Sequence, residues 1–341
     1  MLKNNLILAI ESSCDETAAS VYSPEHGVLS SKLYSQIELH KKFGGVVPEL
    51  ASRSHLEKIN LIVQSALNEA SVTLDEIETI AVTNKPGLPG SLLVGVCFAK
   101  ALAFAKHKNI IGIDHLEAHI FSSFIENRPP FPHLCITASG GHTSLYLVED
   151  YGKYKVISET LDDAAGECFD KVAKLINLPY PGGPVIEKLG QEANFEDFFK
   201  YPRNKNNSIN FSFSGLKTAV LYDLVTKGAY NLETKTFLNK NDKELQKQVA
   251  SSLLVCIKDI FLQKLKLALK INPRIKGVTF VGGVACNKYI SKSLEQFCWN
   301  RGIEFYTPSP KYCTDNAAMV AFVASYKAKE GKFDNLSLDI F

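Results

Sequence analysis

The chain has 341 residues, 45 % of them hydrophobic and 22 % charged, enough to bury a sizeable core divided between two lobes. A net charge of +2 is too mild to announce nucleic-acid binding by itself, so any polyanion must meet a local patch. Eight cysteines without a C-x-x-C or a regular spacing argue for reduced thiols in a cytoplasm and against a disulfide framework or zinc knuckle. No apolar stretch reaches 18 residues and a strand begins at Leu6, so neither a membrane span nor a transit peptide is expected.

Strand-like and helix-like segments alternate, which predicts an α/β fold. Leu6–Ile10 reads as a buried strand, followed by the polar turn Glu11-Ser12-Ser13-Cys14-Asp15-Glu16 and a return strand over Thr17–Tyr22. Pro48 suits a first helical turn, and Leu56, Ile59, Val63 and Leu67 continue at helical spacing. The turn Pro86-Gly87-Leu88-Pro89-Gly90-Ser91 opens a helix from Leu92 to Ala105, where exposed N–H groups would make either an anion site or a plain cap. Ile110–Ile113 reads as a buried strand feeding a short helix that carries His115 and His119. Two imidazoles four apart lie on one helical face, the spacing that grips a single metal ion, and Asp315 is the carboxylate that would complete the site. Open α/β sheets place their ligands at such strand ends.

The first pattern recurs. Leu134–Ala138 runs into Ser139-Gly140-Gly141-His142 and returns through Thr143–Val148, either a duplicated core or two ordinary hairpins. From Asp162 to Lys171 the early acids suit a helix start, with Phe169, Val172, Ala173 and Ile176 as the buried stripe and Asp170 too far in to be a cap. The stretch Tyr201–Asn210, with Arg203 and Lys205, reads as a loop. Leu245, Val249, Ser252, Cys256, Ile260 and Leu267 mark a long core helix or helix pair. Lys264, Lys266, Lys270, Arg274 and Lys276 form the densest basic cluster, which reads as a solvated face. Val278–Val281 is a buried strand whose following Gly282-Gly283 lets backbone approach a ligand closely.

Taken together, these motifs closely resemble the tRNA threonylcarbamoyladenosine transferase family in its bacterial and organellar version, whose older members were mislabelled glycoprotein endopeptidases. The resemblance runs almost end to end. It rests on Glu11–Thr17, Gly44–Arg53, His115–His119, Ser139–Thr143, Asp162–Lys171, Tyr180–Pro184, Phe211–Thr218, Gly282–Val284 with Asn287, and Cys313–Asn316. It implies the actin, Hsp70 and sugar-kinase (ASKHA) fold, two related α/β lobes around a nucleotide cleft. Residues 1–112 would form the N-terminal lobe with 317–341 packing back on it, and 113–316 a C-terminal lobe carrying the metal and adenylate.

The implied activity is transfer of the threonylcarbamoyl group of threonylcarbamoyl-AMP to the exocyclic amine of adenosine 37 in tRNAs reading A-starting codons. The implied metal ligands are His115, His119 and Asp315 around Fe(2+), with Zn(2+) as the alternative. Thr137, Ala138, Ser139, Gly140, Gly141, Asp170, Gly183 and Asn287 would hold the adenylate, and ATP or ADP can occupy the same cleft. Asp15 is expected to handle the proton. The implied partners are tRNA, a paralogous TsaB-type subunit and a small TsaE-type ATPase, in a cytoplasm.

Some positions depart from the family pattern. Lys85 replaces a glycine before Pro86, Ala118 and Ala317 replace glycines, Cys286 replaces an alanine, and the sequence stops at Phe341 without the Arg- and Trp-containing tail of many bacterial members. A metallopeptidase would need the glutamate one position after the first histidine. Glu117 follows His115 by two, about 200° round the helix and nearly opposite the metal face. A nucleotide-binding scaffold is the alternative from a different class, since the fold alone does not decide function.

Overall fold

A computed structural model describes residues 5–203, 208–238 and 242–340, and the chain divides into two units, Met1–Arg128 with Pro308–Phe341, and Pro129–Thr307. Lys205 lies outside the described residues. In the first unit every residue of β1 (Leu6–Glu11) is buried, as befits a central strand covered on both faces. β2 (Glu16–Ser23) returns antiparallel to it and pairs in turn with β3 (Gly27–Ser35). The short α1 (Ile37–Lys41) leads to α2 (Pro48–Glu69), which starts on the proline. β4 (Ile77–Lys85), α3 (Pro89–Lys106) and β5 (Asn109–Asp114) complete a sheet ordered β3-β2-β1-β4-β5, its last two strands parallel to β1. α4 (His115–Phe121) then grows straight out of β5.

By length and composition α3 is apolar enough to cross a membrane, which the sequence reading did not anticipate. One face of it joins the core: Leu92, Val96, Ala99 and Ala103 are buried with Leu8, Ile10 and Val63. The turn before it is tied to the polar turn after β1. The Leu88 N–H donates to the Ser13 carbonyl (2.8 Å), Ser91 Oγ donates to Cys14 O (3.2 Å) and Ser12 Oγ to Ser91 O (3.0 Å), so this turn clamps the polar turn after β1.

The second unit repeats the plan. β6 (His133–Ala138), β7 (Thr143–Asp150) and β8 (Lys153–Glu159) form an antiparallel meander. After α5 (Ala165–Leu175), α6 (Gly182–Glu192), α7 (Ser214–Thr226) and the small hairpin β9 (Tyr230–Asn231) and β10 (Thr236–Phe237), a single 29-residue helix α8 (Lys243–Ile271) crosses the unit. β11 (Gly277–Val281), α9 (Lys288–Trp299) and β12 (Glu304–Tyr306) finish a sheet ordered β12-β11-β6-β7-β8. β11 runs parallel to β6 as β4 does to β1, so the two sheets share one topology and the core is duplicated. Phe211, Phe213, Phe261 and Phe280 pack ring to ring at its centre.

The chain then returns to the first unit through α10 (Pro310–Cys313) and α11 (Ala317–Lys329), whose residues Ala317 to Ala324 are all buried. This corrects the expected boundaries. The first unit extends to 128 rather than 112, and 308–316 belongs with it, so the metal-ligand candidates sit in the first unit and not with the adenylate candidates. The cause is continuity and packing: α4 is capped by the last residue of β5, and Phe121 and Phe124 pack against Tyr326 and Phe322 of α11. Two further expectations change. Lys264 is buried rather than solvated, its Nζ donating to the Ser208 carbonyl (2.8 Å). Asp162 does not start its own helix. It accepts from Phe213 N (2.7 Å), Ser214 N (3.0 Å) and the hydroxyls of Ser212 and Ser214, and so tends the start of α7.

Candidate metal centre and adenylate site

Asp114 ends β5 and accepts from the N–H groups of Leu116 (2.8 Å) and Glu117 (3.2 Å), which fixes where α4 begins and therefore where its first residue, His115, points. His119 follows one turn on. The two rings meet edge to face, centroids 4.6 Å apart. Asp315, in the link between α10 and α11, puts Oδ1 3.0 Å from His119 Nε2 and 3.5 Å from His115 Nε2. All three ligand atoms lie within 4.8 Å of one another, with both histidines buried and Asp315 half-buried. Two imidazoles and one carboxylate converging at this separation fit one divalent ion with coordination positions left open.

The far side of His115 is fixed as firmly. Its Nδ1 lies 3.1 Å from Glu11 Oε2 and 3.2 Å from Ser13 Oγ. Glu11, fully buried at the end of β1, also accepts from Thr83 Oγ1 (2.6 Å) and the Ser13 N–H (2.5 Å). This carboxylate–histidine contact selects the tautomer that leaves Nε2 free for a metal. Burial opposes charge on His115, but Asp315 and Glu11 outweigh it and raise the imidazole to about 9. Burial likewise opposes charge on Glu11, and His115 reverses that, holding its carboxyl below the usual range. His119 Nδ1 is buried with no hydrogen-bond partner, so that ring is held by packing and by Asp315.

Asp15 is 8 % exposed in the turn after β1, in the same unit as the triad. Beside it Glu16 is pushed up to about 10 by burial, then by Asp315 and Asp15, and its carboxyl is hydrogen-bonded to Asp15. Burial and the neighbouring acids thus favour the protonated form of Glu16 at neutral pH. Glu117 is turned away from the triad as its helical phase predicts, bound by the Tyr326 hydroxyl and by Lys327 Nζ (2.8 Å) on α11. A zincin-type base is therefore missing from this helix.

The adenylate candidates gather in the second unit at the C-terminal ends of β6 and β11, where Thr137 stands opposite Val281. Thr137 and Ala138 are the buried last residues of β6, and the turn Ser139–Gly141 follows. Gly282, at φ +91°, lies so close to β6 that a β-carbon would collide with the Ala138 carbonyl oxygen. α5 seats Gly166 against the same turn, its N–H donating to Ser139 O (3.2 Å). Asp170 Oδ1 accepts from Gly182 N (2.7 Å), which anchors the start of α6 beside Gly183, and burial raises its carboxyl. Asn287 caps α9 by accepting from Ile290 N (3.0 Å). Asp170 and Asn287 thus have structural duties that spacing did not reveal.

Sequence reasoning missed Glu11, Ser13, Thr83 and Glu16. The signal for Glu11 was available: a metal-binding histidine needs a partner for its other nitrogen, and Glu11 is an acid at the end of the first buried strand.

The family described as tRNA N6-adenosine threonylcarbamoyltransferase (TsaD) matches residues 27–322. The protein of that name from Brachyspira hyodysenteriae is 45 % identical over 98 % of this chain and 95 % of its own length. That from Clostridium perfringens is 46 % identical over 99 % and 97 %. Among solved structures, full-length HypF superposes with a TM-score of 0.62 at 15 % identity, over 97 % of this chain and 48 % of its own. Component A of the (R)-2-hydroxyglutaryl-CoA dehydratase from Acidaminococcus fermentans gives 0.56 at 15 %, over 96 % and 100 %. These likenesses establish the actin, Hsp70 and sugar-kinase fold, with its two α/β lobes. On the near-complete sequence match, the chain belongs to the tRNA N6-adenosine threonylcarbamoyltransferase family.

Proposed function

We propose that the chain carries out its family's acyl transfer, from threonylcarbamoyl-AMP to the exocyclic amine of adenosine 37 in tRNA, at a divalent metal held by His115, His119 and Asp315. The observation that carries this reading is the donor set itself, with its first histidine locked by Glu11 and Ser13. A scaffold that only binds nucleotide has no use for an oriented, open coordination site. When bound, the metal supplies a Lewis acid and a template for donor oxygens. The donor set suits iron(II) or zinc, and we favour iron(II).

The adenine amine is a poor nucleophile because its lone pair is delocalised into the ring, so the donor must be an activated mixed anhydride held in register. Backbone N–H groups of Ser139–Gly141 and Gly282–Gly283 are suited to its phosphate. Asp170 in the middle of α5, Gly183 at the start of α6 and Asn287 capping α9 are the positions from which ribose and base would be held. The amine nitrogen forms the new C–N bond, the C–O bond to phosphate breaks, and AMP leaves with that electron pair. The proton lost by the amine passes to the Asp15 side chain, which the protonated Glu16 carboxyl holds in place by a hydrogen bond.

Exposed Leu56 and Leu61 on α2 and Leu93 and Phe104 on α3 offer apolar surface for a paralogous TsaB-type partner, with a small TsaE-type ATPase in the same system. Eight free cysteines support a cytoplasmic setting.

Single-turnover transfer tests the reading. Purified protein and candidate partners are mixed with unmodified tRNA and threonylcarbamoyl-AMP, and nucleosides are read by mass spectrometry. Threonylcarbamoyladenosine made by the wild type and lost in His115→Ala and Asp315→Ala is the expected result. Product at the wild-type rate from both variants, or none from any partner set despite bound nucleotide, overturns it in favour of another site or a scaffold.

A further inference from the structure

The second unit carries a groove of about 650 Å³ between α6, α8 and α9. Four lysines from the three helices line it: Lys188, Lys258, Lys288 and Lys292. Lys188, Lys288 and Lys292 are exposed and Lys258 is half-buried. Among the residues lining the groove the single carboxylate is Glu187, and it is engaged by the N–H of Tyr289 (3.1 Å). Lys258 pairs with Asp259 (2.6 Å), while Lys288 and Lys292, one helical turn apart, make no ion pair among the described residues. A chain of net charge +2 thus concentrates positive charge at one concave place.

A second observation points the same way. Lys288 is the first residue of α9, whose first turn holds no acid. A cation there faces the positive end of the helix dipole, a placement that costs stability and gains nothing within the fold. Its charge is compensated if an anion enters the groove.

We propose that this groove grips the phosphate backbone of the tRNA substrate, a proposal that rests on the transferase reading above. Lysines are mobile point charges suited to phosphate oxygens, and contacts of this kind position an RNA without reading its bases. That is the recognition an enzyme needs when it acts on several tRNAs of different sequence. The groove floor adds a flat apolar platform, Tyr289 stacked on Phe195 at 4.1 Å, against which the sugar-phosphate strand can lie.

The test uses the full chain, alone and with its partners, and unmodified tRNA, with affinity measured across a salt series. The variants are Lys188→Ala/Lys292→Ala and the charge-retaining Lys188→Arg/Lys292→Arg. For the alanine pair the proposal expects tRNA affinity to fall roughly tenfold or more, and the slope of log K against log salt to flatten by about 1.4–1.8, two phosphate contacts' worth. The arginine pair keeps both affinity and slope, and both variants bind threonylcarbamoyl-AMP as the wild type does. Unchanged tRNA affinity and slope in the alanine pair overturn the proposal. So does loss of adenylate binding, which would make the groove part of that pocket, or loss of a protein partner with tRNA binding intact. A wild type that binds no tRNA in any assembly defeats the transferase reading as well, an outcome distinct from failure of the groove alone.

Discussion

Glu11 illustrates how a residue that touches no ligand can govern a site. Its carboxylate is fully buried, takes hydrogen bonds from Thr83 and Ser13, and presents its remaining capacity to His115 Nδ1. Glu11→Gln keeps the shape and removes the charge, so the metal affinity of the purified protein should fall about 10–100-fold, measured by competition with a chelator of known strength. Retention at the wild-type level would mean that Ser13 alone orients the ring. Asp15→Asn separates a different role: transfer should slow by about 10²–10⁴-fold while threonylcarbamoyl-AMP still binds. Near-normal turnover would remove Asp15 from the proton path. The histidine pair was readable because ligand spacing on one helix is a local property, whereas Asp315, 196 positions from His119, was named as a candidate from its motif. Glu11 left only the indirect signal of an acid at a strand end, and Glu16 left none, since their partners arrive from other strands and from the far end of the chain.

Among the elements, the buried strands followed from apolar runs, while the repeated strand–turn–strand pattern left open a duplicated core or two hairpins and helical spacing left open one long helix or a pair; the two sheets of one topology and the single α8 decide both. What escaped was cross-talk between elements. Asp162 looked like a local helix start, yet it organises α7, some fifty positions away in sequence. Burial works against its ionised form, but the Ser212 and Ser214 hydroxyls and two backbone N–H groups prevail and hold its carboxyl below the usual range. Because the native carboxyl is lowered, its contribution is present above the unfolded value near 3.9 and fades as pH falls through the native one. Asp162→Ala should cost about 1–2 kcal/mol at neutral pH, read as a lower denaturation midpoint. Gly282→Ala should be costlier, because it combines φ +91° with a clash against β6 and would also push apart the two strand ends that form the adenylate candidates. Thermal melts with and without adenylate would register both effects, and an unchanged melting temperature would contradict them.

At the scale of the whole molecule, acid sensitivity has an identifiable source in the second unit. His133 is buried at the start of β6 and donates from Nδ1 to Pro130 O (3.1 Å), and burial pushes its imidazole down to about 4. The unfolded chain binds the proton first, so stability present above about 6.5 is lost as pH falls towards 4, by about 3 kcal/mol in all. Replacing His133 with Gln should flatten the stability profile between those limits, and a profile of unchanged steepness would place the acid response elsewhere. The first unit is discontinuous. Its sheet and both histidines come early, but α11, whose residues Ala317 to Ala324 are buried and which packs on β1 and β2, and Asp315 come only after residue 307. During synthesis the opening segment must therefore wait for residues 129–307 to be made, about 10–35 s at ordinary elongation rates, with α2 and α3 on its sheet but α11 still missing. Both histidines are made long before Asp315, and the three-ligand set exists only once the chain has been read past residue 307, so metal capture is a late event in the protein's synthesis.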